Sequence, residues 1–145
     1  MYKAYGGVIR SGLRMYLVPT VEESTASLLP TLPWRDMAAM GTAIRRLGWA
    51  WTVDTTAVQC TVTLPDDTLL VFTETNGTWT LVDPLPEEGM VRQFCGVLAR
   101  SYWYWAVTLE AHRAQTPLYQ TSGPGGRTLL VVMAARSPKF TSFQN

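Results

Sequence analysis

The chain has 145 residues, of which 47% are hydrophobic and only 16% charged, where ordinary soluble domains carry about 25% charge. Twelve Lys and Arg against eleven Asp and Glu leave a formal net charge of +1, so there is no strong field to gather nucleic acid or anionic lipid without sequence preference. The length suits one domain with a core large enough to stand without disulfide staples, and the thinly charged surface favours association with protein partners or with further copies of the chain.

The first stretch, residues 1–33, opens basic. Lys3, Arg10 and Arg14 precede any acidic residue, the first being Glu22. A basic first strand over Leu13 to Pro19 accounts for this. The same bias also fits a mitochondrial or plastid targeting segment of an otherwise intracellular protein. The polar run VEESTAS and the proline-bracketed LLPTLPW that follow read as an extended arm.

An α+β domain is expected over residues 34–136. Pro33 suits a first helical turn and Asp36 its positive end, and Met37, Met40, Ile44 and Leu47 recur at helical spacing up to a stop at Gly48. Strand signals follow over Trp49 to Val53 and Ala57 to Leu64, where Val58, Cys60, Val62 and Leu64 alternate with polar residues. Pro65, Asp66 and Asp67 turn the chain into Leu69 to Thr73, and Asn76-Gly77 turns it into Thr78 to Val82, the strongest short-range hairpin signal there is. After the loop DPLPEEGM, with Glu87 and Glu88 at a helix start, residues 90 to 113 carry a helix whose stripe is Val91, Phe94, Leu98, Tyr102, Trp105 and Leu109. Thr116 to Gln120, a loop SGPGG and Thr128 to Ala134 form a final hairpin, and residues 137–145 are a polar tail. The fold class is therefore α+β: an antiparallel sheet, meander plus C-terminal hairpin, with two helices packed on one face. The most apolar stretch, Phe94 to Leu109, is interrupted by Arg100 and falls short of the roughly 20 residues a membrane span needs.

Tyr102, Trp103, Tyr104 and Trp105 stand side by side on the long helix. At about 100° per residue they cannot all enter one core. The stripe takes Tyr102 and Trp105. Trp103 shares another side with Gly96, Ala99 and Val107, and Tyr104 neighbours Arg100. A second apolar face is covered either by the chain's own arm, Trp34 included, or by another protein, for which Trp, Tyr and Arg are preferred anchors. Trp103, Tyr104, Arg100, Val107 and Trp34 are thus the candidate partner-binding residues. Stacking of single-stranded bases is the weaker use of such rings without a basic groove. Trp49, Trp51 and Trp79 either fill the sheet-helix interface or line a ligand pocket.

Catalytic chemistry finds little purchase. Cys95 and His112, seventeen residues apart on one helix, are separated by about 25 Å of axial rise. Cys60 sits among inward strand positions, where an inert reduced thiol is expected. One His with two isolated Cys offers no metal-ligand spacing, no cofactor motif is present, and SGPGGRT, followed by a strand rather than a helix, lacks the Lys-Ser/Thr ending of a phosphate loop.

Residues 36–134, about two thirds of the chain, resemble an uncharacterised family of short proteins of cyanobacteria and algal plastids. The resemblance lies in AIRRLGW, in ETNGTW, in FCGVLARSYWYWAVTLEAHRAQ and in the Gly-containing hairpin that ends in LLVV. It implies the same architecture and supplies no active site. The expected function is a non-catalytic structural or adaptor subunit of a larger assembly, the alternative being a small-molecule or lipid-binding domain with a Trp-lined pocket.

Overall fold

The turns of the central sheet are dictated by single residues. Asn76 (φ 54°) and Gly77 (φ 79°) both take the left-handed conformation, as a two-residue primed turn requires, and the flanking Thr75 and Thr78 pair directly. Asp67 (φ 68°) makes the preceding reversal. These observations come from a computed structural model that describes residues 8–10 (backbone only), 13–25, 34–83, 85–86 and 88–133. The leucines and prolines of the expected arm at 28–33, Glu87 at the expected helix start and the tail at 137–145 lie outside the described residues.

The elements are β1 (Val8–Arg10), β2 (Leu13–Leu17), a single turn α1 (Val21–Glu23), α2 (Met37–Leu47), β3 (Ala50–Asp54), β4 (Gln59–Thr63), β5 (Leu69–Thr75), β6 (Thr78–Leu81), α3 (Met90–Arg113), β7 (Leu118–Ser122) and β8 (Thr128–Met133). They form two antiparallel four-stranded sheets, ordered β3-β4-β5-β6 and β1-β2-β8-β7. The chain divides into two compact units: Pro19–Ala106, and the two ends up to Val18 and from Val107 onward. The boundary therefore falls after Val18 and within α3.

In the middle unit the meander buries one face and wets the other. Cys60, Val62, Leu64, Leu70, Phe72 and Trp79 are buried, while the opposite positions include Thr52, Thr61, Thr63, Thr73 and Thr80. Val58 does not extend this pattern; it sits in the β3–β4 turn with φ 53° and is exposed. Helix α2 opens at Asp36, whose Oδ1 accepts the Ala39 N–H at 3.1 Å, and closes at Gly48 (φ 77°), where the Gly48 and Trp49 N–H groups return to Arg45 and Ile44 carbonyls. Its face Ala39, Met40, Gly41, Ala43 and Ile44 is buried. A Cβ at Gly41 would lie 2.8 Å from Trp51 Cζ2, so glycine there admits the indole of β3.

The unit of the two ends contains the hairpin β7–β8. Strand β8 is its centre, pairing with β7 on one side and β2 on the other. A nearly unbroken apolar run, TLLVVM, belongs between two neighbours rather than at an edge, which is why the hairpin forms a second sheet with the N-terminal strands instead of extending the meander. Its core contains Tyr16, Val18, Leu129, Leu130 and Val132 together with Val107 and Ala111 of α3. The glycine-rich loop is a 3-10 turn, Pro124–Gly126, closing the Ser122–Thr128 pair.

Candidate functional site

Arg92, Gly96 and Arg100 are spaced by four on α3, and therefore stack along one side of the helix. All three grip the same piece of chain. Arg100 Nε donates to the Pro19 carbonyl at 2.9 Å, and Arg92 Nη2 donates to the Thr25 carbonyl at 3.1 Å. Between them, a Cβ on Gly96 would overlap Thr25 Oγ1 and lie 3.1 Å from the Val21 carbonyl oxygen. The segment Pro19–Thr25 is thus a strap laid along the helix.

Local chemistry shapes the strap itself. Thr20 caps α1 in a reciprocal box: Thr20 Oγ1 accepts the Glu23 N–H, and the Glu23 carboxylate accepts the Thr20 N–H. Thr25 Oγ1 donates back to the Val21 carbonyl at 2.8 Å. Arg92 adds a third tie, Nη1 donating to the Pro86 carbonyl at 3.0 Å, so one guanidinium joins the strap, the loop before α3 and the helix.

An open cleft of about 720 Å³ lies where these segments meet, lined by Val21, Glu22 and Thr25 of the strap, Glu88 and Gly89 of the loop, and Arg92, Gln93, Phe94 and Val97 of α3. Its volume falls within the roughly 300–1,000 Å³ of small-molecule sites. The apolar lining comes from Val21, Phe94 and Val97, and Phe94 is braced edge-on by Trp49 (ring centroids 6.0 Å apart, interplanar angle 82°).

The residues expected to meet a partner lie elsewhere. Trp103 is fully buried, and Val107 and Trp34 are 8% and 5% exposed. Trp34 packs on Phe72 and Tyr102 (centroids 5.4 and 4.8 Å) and its carbonyl accepts the Trp79 N–H at 2.7 Å. Tyr102 Oη accepts the N–H groups of both Arg35 and Asp36. The inward face of α3 is turned one position from the expected stripe: Cys95, Leu98, Ala99, Tyr102 and Trp103 are buried, whereas Val91, Phe94, Trp105 and Leu109 are half-exposed. Small residues explain the rotation, because Gly96 and Ala99 let other segments approach closely on the side where Trp103 projects. Arg100 is half-exposed and tied to the strap through its bond to the Pro19 carbonyl. Tyr104 stays half-exposed and meets Trp105 edge-on at 5.1 Å, with the Arg46 guanidinium 5.2 Å from the Trp105 ring.

The three sheet tryptophans do not gather around the cleft. Trp79 is buried against Trp34, Trp51 lies on Gly41, and Trp49 precedes β3 and braces Phe94. Cys60 and Cys95 are free and buried, and burial pushes their thiols up to about 11 and about 12, far from nucleophilic thiolate range. His112 is exposed in the last turn of α3. Among the described residues no group of three His, Cys, Asp or Glu is placed to hold a metal ion, and no helix is long and apolar enough to cross a membrane.

The cleft residues Val21, Glu22, Glu88, Arg92, Phe94 and Val97 were missed by sequence reasoning. Arg-x3-Gly-x3-Arg within a helix was the available signal: two long cations flanking a glycine at one-turn spacing mark a side that receives backbone. Comparison with protein-family models, with curated proteins and with solved structures finds no match.

Proposed function

We propose that the protein is a non-catalytic binding subunit whose working site is the cleft between the strap and α3, a ligand-binding α+β chain in which the site is built by Arg92 rather than by tryptophans. The observation that carries this reading is the pinning of the cleft walls: one guanidinium holds the Thr25 and Pro86 carbonyls, so the cavity is preformed and binding costs little ordering. Buried, protonated thiols and an exposed lone histidine supply no reactive group at this place.

The test is a fragment titration followed by amide shifts in the ¹⁵N-labelled chain. Binding fragments are expected to shift Val21, Thr25, Gln93 and Phe94 together, and Val97→Trp, which fills the cleft, is expected to abolish the effect. Fragments that shift only residues outside the cleft, or act unchanged on Val97→Trp, refute the reading.

A second reading, protein docking, is favoured by one feature: the half-exposed pair Tyr104 and Trp105 with Arg46 over the ring, a composition common at interface anchors. Tyr104→Ala with Trp105→Ala would abolish capture of a defined partner, or self-association measured by light scattering, if that surface is used. Unchanged association would exclude it.

A further inference from the structure

Resting on the cleft reading, we infer that the ligand is a small organic cation with an apolar body, such as an arylalkylamine. Among the described residues the lining carries two carboxylates, Glu22 and Glu88, and one cation, Arg92. That cation is held in place by the cleft walls, with Nη1 and Nη2 each donating to a backbone carbonyl, and its one charge is outnumbered by the two carboxylates. Neither carboxylate has an ion-pair partner among the described residues. Charge complementarity therefore asks for a positive group at the rim, where both glutamates are exposed.

The body of the ligand follows from the walls. Val21, Phe94 and Val97 provide apolar surface, and an aromatic ring in the lining adds attraction for an ammonium placed over its face. An anion would meet two carboxylates with one guanidinium to offset them, an unfavourable balance of charge. A purely apolar ligand would leave the acidic rim unused.

Three probes of one shape separate these cases: 3-phenylpropylamine, 3-phenylpropanol and 3-phenylpropionate, titrated into the full chain and read from the amides of Val21, Gln93 and Phe94. The amine is expected to bind about fivefold or more tightly than the alcohol, as one to two exposed charge pairs allow, and the acid more weakly than either. In the Glu22→Gln and Glu88→Gln variants the advantage of the amine is expected to fall about threefold each while the alcohol is unaffected, and 0.5 M NaCl is expected to shrink it in the parent chain. Equal binding of amine and alcohol in the cleft overturns the cation inference and leaves the binding reading standing. Preference for the acid overturns it in favour of Arg92 as anion donor. Failure of all three to move the cleft amides overturns the inference and the cleft reading together. Glutamine at these exposed positions leaves the rest of the amide spectrum in place, which serves as the folding control.

Discussion

Replacing Gly96 with alanine sets two physical effects against each other. In an exposed helix interior the change stabilises by about 1 kcal/mol, because alanine loses less backbone freedom on folding. Here the new methyl would overlap Thr25 Oγ1, lie 3.0 Å from Thr25 Cβ and 3.1 Å from the Val21 carbonyl oxygen. Thr25 is fixed by its own bond to Val21 and by the Arg92 bond to its carbonyl, so relief requires the strap to lift. Overpacking of this kind costs about 1–3 kcal/mol, and a weakened bond from the charged Arg92 adds about 1.5–3 kcal/mol if it is lost outright. We expect Gly96→Ala to destabilise by about 1–3 kcal/mol in urea unfolding, with the transition slope unchanged. In a Thr25→Ala background, which removes Oγ1, the same change should cost at least about 1 kcal/mol less. A stabilised Gly96→Ala, or a double-mutant cycle additive within about 0.5 kcal/mol, would refute the close approach of strap and helix.

Three further outcomes follow from the same structure. Trp103→Ala should cost about 3–5 kcal/mol, as truncation of a buried tryptophan does, whereas Tyr104→Ala should cost about 1 kcal/mol; comparable small costs in thermal unfolding would place Trp103 outside the core. Arg92→Met should leave global stability only modestly reduced but raise cleavage after Glu22 and Glu23 by a Glu-specific protease at least about tenfold, since its bond to the Thr25 carbonyl ties the strap to α3; an unchanged rate would deny Arg92 that role. The thiols set an alkaline limit. Their folded values, about 11 and about 12, stand above the ordinary 9.0, so between pH 9 and 11 the unfolded chain binds fewer protons and stability falls as pH rises, by up to about 1.4 kcal/mol per pH unit for each thiol. The contribution is fully present below pH 9. The Cys60→Ala, Cys95→Ala double variant should show a flatter decline than the parent over that window, and parallel slopes would contradict the burial effect.

The sequence carried the fold wherever a local rule decides it. Asp36 and Gly48 bound α2, Asn76-Gly77 sets the β5–β6 turn, and the alternation through Cys60, Val62 and Leu64 orients β4. It was less legible where the decision is tertiary. TLLVVM announces a buried strand without naming its neighbours, so the separate sheet formed with β2 was not visible. The orientation of α3 was not legible because its large residues lie almost all round the helix, so spacing alone admits the stripe through Trp105 as readily as the side opened by Gly96 and Ala99. For the cleft, the charges of Arg92 and Arg100 look like ordinary solvated side chains until a partner 67 or 81 residues away is known. The tryptophans are the conspicuous side chains of the sequence, while the described lining of the cleft includes Val21, Glu22, Glu88, Arg92, Phe94 and Val97.

The same long separations bear on the order in which the chain assembles. The meander and α2 are joined by short turns and can form from neighbouring residues, at little cost in loop closure. The strap has no such route. Its ties reach from Pro19 and Thr25 to Arg100 and Arg92, and Gly96 can receive it only once α3 is wound, because the grip uses three successive turns of that helix. Docking of the strap therefore follows the meander and the winding of α3, and the cleft it lines forms only after both.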